Sequence, residues 1–194
     1  MARKIGPVDL FDRPIPVRRS RSQIELERYD RETMTGRITR LNYVKRVHPP
    51  GGFGMPIESV MLFTEARMAF VDGLFVSVLL LCNSFIEHVL GSMLEARSFR
   101  KEAKAGLAAQ IACARKNGIL DEYLLEKADR LREVRNPFVH LKPFDHEHGI
   151  HRRMMRARQD PYDILEADAR TALSIMYAFA TRPGIAFRPA TGEP

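Results

Sequence analysis

The sequence predicts an all-α protein, an antiparallel bundle of four to five helices preceded by a mostly irregular, basic N-terminal extension. Apolar residues recur at intervals of three and four over much of residues 57–183, which is the period of an amphipathic helix. Glycine and proline cluster at a few positions that separate these periodic stretches. Because most of the links are short, consecutive helices are expected to pack against each other.

Residues 1–56 form the predicted extension and hold no long periodic pattern. The alternation in residues 37–47 favours a short strand or hairpin, and the turn-rich sequence at 48–54 marks the boundary with the helical domain. Residues 1–50 carry twelve Lys and Arg against six acids, so their net charge is 12 − 6 = +6. This is nearly all of the chain's formal net charge of +7. A basic arm of this kind favours contacts with backbone phosphates or with an acidic partner protein.

The first two helical stretches lie between residues 57 and 116. Residues 57–96 predict one long helix, or two helices with a break near Asp72-Gly73. Residues 99–116 predict the next helix, with Asn117-Gly118 as its stop signal. The expected core stripe of the long stretch consists of Phe70, Leu74, Val78, Leu81, Phe85, Val89 and Met93.

Two later helices begin at aspartates. Asp121 is expected to cap a helix that runs to Asn136. Asp160-Pro161 combines a cap with proline at the first helical position, and its helix should end before Pro183-Gly184, leaving a frayed tail at 184–194. The expected inner faces consist of Leu120, Tyr123, Leu124, Ala128, Leu131 and Val134 in the first helix, and of Leu165, Ala169, Ala172, Leu173, Met176 and Phe179 in the second.

Composition and cysteine usage limit the class of protein. Cys82 and Cys113 have no CxxC partner, which predicts buried, reduced thiols and not a disulfide or zinc framework. The most apolar run, from Leu74 to Ile86, is shorter than the about 20 residues that a membrane span needs. The charged, proline-broken start predicts no signal peptide. We therefore expect a cytoplasmic protein without membrane contact, and its pI of about 9.7 favours nucleic acid as partner.

The segment Arg135-Asn136-Pro137-Phe138-Val139-His140 carries the clearest chemical signal. An imidazole can move protons near neutral pH, and a guanidinium can hold a phosphate oxygen. On an unbroken helix Arg135 and His140 would point about 140° apart, so Pro137 is expected to push Asn136 out of the helical region and let the two side chains converge. Asn136 would then cap the turn that follows. The alternative is a capped kink with a surface histidine.

Glu87 lies on the most apolar helical stretch. A carboxylate there is costly unless it is paired, so a cation from a facing helix, Arg135 or Arg132, is the expected partner. Asn83 lies one turn earlier on the same face. Glu87 is therefore predicted to orient the Arg or His of a site, or else to be half-exposed at the edge of the bundle.

A loop rich in His and Arg follows His140. His148 and His151 have a spacing that metal ligands use, but there is no Cys set and no HExxH sequence, so a solvated flank of the site without metal or cofactor is expected. The basic residues in and around this loop predict a surface that faces RNA. The predicted RNA-binding residues are Arg132, Lys142, Arg152, Arg153 and Arg156.

These features together resemble the HEPN superfamily. Arg135 to His140 matches its Arg-x4–6-His motif, including the frequent Asn after Arg, and residues 82–90 (CNSFIEHVL) resemble the stretch around the family's helical acid. The likeness covers residues 57–182. It implies a metal-independent endoribonuclease, a toxin or defence effector, with a composite site at a homodimer interface.

The resemblance also implies roles for single residues. His140 would act as general base or acid at the 2′-hydroxyl or the leaving 5′-oxygen, and Arg135 would stabilise the charge that develops on the phosphate. Asn136 would orient the phosphate or the His, and Glu87 would position Arg135 or His140. RNA is the implied substrate, and an antitoxin or a defence-system protein is a candidate partner.

Two alternatives remain open. Some members of the superfamily are inactive, so the chain could be a non-catalytic module that binds nucleic acid or protein. A weaker alternative is a sensor that binds a nucleotide at the Arg135 cleft.

Overall fold

The structure is a computed structural model that describes residues 19–48 and 55–182. The predictions for residues 1–18, for the turn at 49–54 and for the tail from 183 lie outside these ranges. Within them the chain is an all-α bundle, as predicted, and contains no strand. The helices are α1 Arg21–Val47, α2 Ile57–Asp72, α3 Phe75–Glu95, α4 Arg100–Ala103, α5 Leu107–Lys116, α6 Glu122–Arg135, α7 Ile150–Ala157 and α8 Pro161–Ala180, and a 3-10 turn Asn136–Phe138 follows α6.

The chain divides into two compact units, Met1–Gly36 and Arg37–Pro194. In the described part of the first unit, residues 21–36 are helical and mostly exposed. A capping box starts this helix, since Ser20 Oγ accepts from the Gln23 N–H (3.2 Å) and Gln23 Oε1 accepts from the Ser20 N–H (2.7 Å). An ion pair from Arg21 to Glu25 (3.2 Å) spans one turn of it. The mostly irregular extension was therefore the wrong prediction for residues 21–47.

The second unit begins within α1. Residues 37–47, expected as a strand or hairpin, are helical, so that prediction is wrong. Val44 is buried in the core of this unit. Arg40 donates through Nε to the Val71 carbonyl oxygen (3.0 Å), and Arg37 binds Asp72 (3.0 Å). Two cations of the predicted basic arm are thus used to hold α1 against the C-terminal end of α2, where cations are favourable.

The predicted break at Asp72-Gly73 is confirmed. Gly73 adopts the left-handed conformation (φ 81°), and the Leu74 N–H reaches back to the Ala69 carbonyl oxygen (2.8 Å). Leu74 is 54% exposed in this turn, so its assignment to the core is wrong. The other members of the predicted stripe are buried, except for the half-buried Leu81.

Residues 99–116 form two helices where one was expected. α4 is a single turn that ends at Ala103, and α5 begins only after Gly106. Gln110 Nε2 donates to the Ala103 carbonyl oxygen (2.9 Å) and closes the gap between them. The stop signal is confirmed, because α5 ends at Lys116 and Gly118 is left-handed (φ 59°).

Both aspartate caps are confirmed. Asp121 Oδ1 accepts from the Leu124 N–H (2.9 Å), and Asp160 Oδ1 accepts from the Tyr162 N–H (2.7 Å). Tyr123 was wrongly assigned to the inner face of α6, since it lies in the first turn and is 69% exposed. The remaining inner-face residues of α6 and α8 are buried, apart from Leu120, which precedes the cap and is half-buried.

The core is built around α3, which packs against α2, α4, α5, α6 and α8. This helix has 21 residues and is apolar enough to cross a membrane by length and composition, so it is longer than the apolar run noted in the sequence. Twelve of its residues are buried inside the bundle, as in the core helix of a soluble protein. Cys82 is buried on it and Cys113 is half-buried on α5, and both are free thiols.

Candidate functional site

The Arg135–His140 segment is a tight right-handed turn. α6 ends at Arg135, and Asn136 keeps helical angles (φ −54°, ψ −39°), so the expectation that Pro137 would push it out of the helical region is wrong. The N–H groups of Val139 and His140 both donate to the Asn136 carbonyl oxygen (3.1 and 2.9 Å). Pro137 lies at the start of the 3-10 turn, where a missing N–H costs little.

The side chains of this segment divide between core and surface. Val134 is buried and Phe138 packs against the core, which anchors the turn on both sides. Arg135 is half-buried and donates from Nη1 to Asn136 Oδ1 (3.3 Å). Asn136 therefore binds its neighbour's guanidinium, and the expectation that it would cap the turn is wrong. His140 is exposed, and its side chain makes no hydrogen bond to any residue that the structure describes.

Glu87 is half-buried on α3 and forms no ion pair or hydrogen bond within residues 19–48 and 55–182. The expected pairing with Arg132 or Arg135 is absent from the chain. Arg132 instead binds Asp129 on its own helix (2.7 Å), and Arg135 is bound to Asn136. Asn83 is fully buried, and neither of its side-chain polar atoms has a described partner.

The loop from Val139 to Gly149 is tied to α6 through His148. Its Nε2 lies 3.5 Å from Glu133 Oε2, and its N–H donates to His146 Nδ1 (3.2 Å). His151 lies over the Phe144 ring, with centroids 4.0 Å apart. In the described part of the chain, no three His, Cys, Asp or Glu side chains are grouped to hold a metal ion.

The predicted RNA-binding residues differ in how free they are. Arg156 is exposed and Lys142 is half-buried. Arg152 donates to the Asp145 carbonyl oxygen (2.7 Å), which leaves part of its guanidinium open. Arg153 binds Asp168 through two hydrogen bonds, and Arg132 is paired with Asp129. These two guanidinium groups therefore form ion pairs within the chain and are less free to bind RNA.

Sequence reasoning missed a polar cluster in the core of the second unit. His48 follows α1, and burial together with the Arg67 guanidinium lowers its pKa. Tyr177 on α8 is buried, which raises its pKa to about 12, although Arg67 opposes the shift. The His48 and Tyr177 rings meet edge to face with centroids 6.1 Å apart, and the Phe63 ring packs against both, 6.0 Å from His48 and 5.5 Å from Tyr177. No spacing in the sequence links these distant positions, so only the fold reveals the cluster.

The comparisons with known proteins add no relative. No protein-family model, no curated protein and no solved structure matches this chain.

Proposed function

We propose that this protein is a metal-independent endoribonuclease of the HEPN type, with Arg135, Asn136 and His140 at its reaction centre. The observation that carries the proposal is the turn that begins at Asn136. Two backbone N–H groups converge on the Asn136 carbonyl oxygen, so the segment from Arg135 to His140 is fixed although its imidazole is exposed. A rigid backbone under an accessible base and cation suits phosphodiester chemistry.

The hydrogen bond between Arg135 and Asn136 supports the binding of phosphate. It uses one guanidinium N–H and the amide oxygen of Asn136. The two amide N–H groups of Asn136 and the other guanidinium N–H groups remain as donors. They can bind the two non-bridging oxygens of a phosphodiester and stabilise the charge that builds up during displacement.

The reaction is an in-line attack within the RNA. His140 removes the proton from the ribose 2′-hydroxyl, and the 2′-oxygen attacks the adjacent phosphorus. The bond to the 5′-oxygen breaks, and a second acid protonates that oxygen as it leaves. The products are a 2′,3′-cyclic phosphate and a 5′-hydroxyl end, and no water or oxidant is consumed.

A homodimer would supply the second acid, because each chain contributes one His140. Exposed apolar side chains flank this residue and support self-association at the same place. Val139 is exposed, Leu141 is fully exposed, and Phe144 is 76% exposed. Exposed apolar residues that lie close together are typical of a surface that another protein covers. Glu87, which has no described partner in its own chain, is a candidate to position Arg135 or His140 once the composite site forms.

Cleavage of a labelled single-stranded RNA tests the proposal. Changing His140→Ala or Arg135→Ala should lower the cleavage rate by about 10²–10⁴-fold, as expected for loss of an acid–base group or of charge stabilisation. The exposed His88→Ala and Arg100→Ala are matched controls and should cleave at the unaltered rate. Unchanged cleavage by His140→Ala would count against the mechanism. Salt-sensitive RNA binding by a wild-type chain that never cleaves would favour the non-catalytic alternative.

We propose a toxin or defence role for this activity, because an endoribonuclease that acts on cellular RNA would arrest growth. Induced expression should then arrest growth for the wild-type chain and not for His140→Ala. A neutralising antitoxin or defence-system protein would be the natural partner, and co-expression with a candidate inhibitor should restore growth.

A further inference from the structure

One face of α6 carries a continuous stripe of four side chains, in which Tyr123 and Arg130 are exposed, Lys127 is half-buried and Val134 is buried. Tyr123, Lys127, Arg130 and Val134 fall within about 60° of each other at 100° per residue. Tyr123 is 69% exposed, and Lys127 Nζ lies 5.1 Å from its ring centroid. The stripe covers three turns, or about 16 Å of helix.

A groove opens between this stripe and α8. It has a volume of about 170 Å³. Its apolar wall is aliphatic and consists of Leu131 and Val134 from α6 and Ile175 from α8, all of them buried. Lys127 and Arg130 line its α6 side, and Asp168 and Thr171 line its α8 side.

The groove has an excess of positive charge. Among the described residues, Lys127 and Arg130 have no ion-pair partner, whereas Arg132 on another face of the same helix is paired with Asp129. Asp168 could have offset these cations, but Arg153 already binds both of its carboxylate oxygens (2.5 and 2.6 Å). The groove is therefore cationic at its rim and aliphatic within.

We propose that this groove is a docking site for an acidic amphipathic helix of a partner protein. Aliphatic side chains of that helix would enter the cavity, and its carboxylates would meet Lys127 and Arg130. Such a helix lays its apolar face into a hydrophobic groove at intervals of three and four residues, and three turns match the length of the stripe. An exposed aromatic at one end, Tyr123, is typical of a residue that anchors an interface.

The lining favours a peptide over single-stranded RNA. RNA sites combine a track of cations with aromatic faces on which bases stack. Here the buried wall is aliphatic, which suits a Leu or Ile side chain, and none of the described residues that line the groove is aromatic. The inference does not depend on the ribonuclease activity.

Binding of a designed peptide to the full chain tests the inference. The probe is a fluorescein-labelled helix of about sixteen residues, with Leu at positions i, i+4 and i+7 and Glu beside them, and its counterpart has Lys in place of Glu. The Glu peptide should bind at least about tenfold tighter than the Lys peptide. When the Glu peptide is added, the methyl NMR signals of the protein that shift should be those of Leu131, Val134 and Ile175.

Three variants locate the site. The double change Lys127→Glu and Arg130→Glu should weaken the Glu peptide by about tenfold or more, because two attractive contacts become repulsive. Thr171→Tyr fills the groove from an exposed position, keeps both cations and should also weaken binding. The control Lys101→Glu with Lys104→Glu removes two exposed cations elsewhere and should change affinity less than about twofold.

Equal losses in the control and in the Lys127/Arg130 pair would show general charge attraction and overturn the inference. Equal affinity for the Glu and Lys peptides would do the same. A single-stranded oligoribonucleotide that loses affinity in Thr171→Tyr, while the Glu peptide does not, would assign the groove to nucleic acid and overturn it as well. Circular dichroism confirms that each variant is folded.

Discussion

Arg153 on α7 donates from both terminal nitrogens to the Asp168 carboxylate on α8, at 2.5 and 2.6 Å, and both side chains are half-buried. α7 is a two-turn helix with no fully buried residue, so this pair is its main polar attachment to the bundle. The same arginine was predicted to contact RNA. The ion pair gives Arg153 a structural role and leaves Arg152 and Arg156 as the exposed cations of that helix.

Arg153 should therefore contribute more to the free energy of unfolding than the exposed Arg156 does. Arg153→Ala leaves a half-buried carboxylate without its partner, and we expect the free energy of unfolding to fall by about 1–3 kcal/mol. Arg156→Ala should change it by less than about 0.5 kcal/mol. Urea unfolding at neutral pH measures both, and equal effects would contradict the structural role of Arg153.

Gly73 and Gly118 form a matched pair for backbone strain. Both have positive φ, so an alanine costs about 1–2 kcal/mol at either position. At Gly73 the new Cβ would also lie 3.2 Å from an Arg40 guanidinium nitrogen, whereas at Gly118 it meets nothing within 4 Å. Gly73→Ala should therefore be the more destabilising change in thermal unfolding. The reverse order would contradict the contact between Arg40 and the end of α2.

Tyr177 predicts a loss of stability in alkali. An unfolded tyrosine loses its proton near pH 10, and burial raises the pKa of Tyr177 to about 12. Between these values the unfolded state binds fewer protons, so stability falls as pH rises, by about 2–3 kcal/mol in all. Tyr177→Phe should flatten this part of the curve in urea unfolding at pH 8 and pH 11. The exposed Tyr162→Phe is the control and should leave the slope unchanged.

A change at Glu87 should affect RNA cleavage without affecting the stability of the fold. Because it has no described ion-pair partner in its own chain, Glu87→Gln should leave the free energy of unfolding unchanged or slightly higher. If Glu87 positions Arg135 or His140 in a composite site, the same change should lower RNA cleavage by about tenfold or more. Cleavage at the wild-type rate by a fully folded Glu87→Gln would remove this residue from the site.

Local signals in the sequence predicted the boundaries of helices well. The caps at Asp121 and Asp160 and the break at Gly73 depend on a few adjacent residues, and such short-range chemistry can be read directly. α1 was missed because its sequence shows charge pairing and a capping box at Ser20–Gln23 where a stripe of apolar residues was sought. A search for the capping box would have found its start.

The side-chain partners could not be predicted, because they depend on packing between distant segments. Arg153 and Asp168 are fifteen residues apart in the sequence, and a left-handed residue, Arg158, lies between them. Asn136 remained helical since a 3-10 turn accommodates Pro137 without a break. The composite site formed by Arg135 and His140 of two chains stays a prediction.

The chemistry of the RNA ends tests the central proposal most directly. Purified protein is incubated with a defined single-stranded RNA in excess EDTA, and the new 3′ ends are analysed by mass spectrometry. The wild-type chain should yield 2′,3′-cyclic phosphate ends, and His140→Ala should yield none above background. Cleavage that stops in EDTA, or identical cyclic ends from folded His140→Ala, would contradict a metal-independent site built on His140.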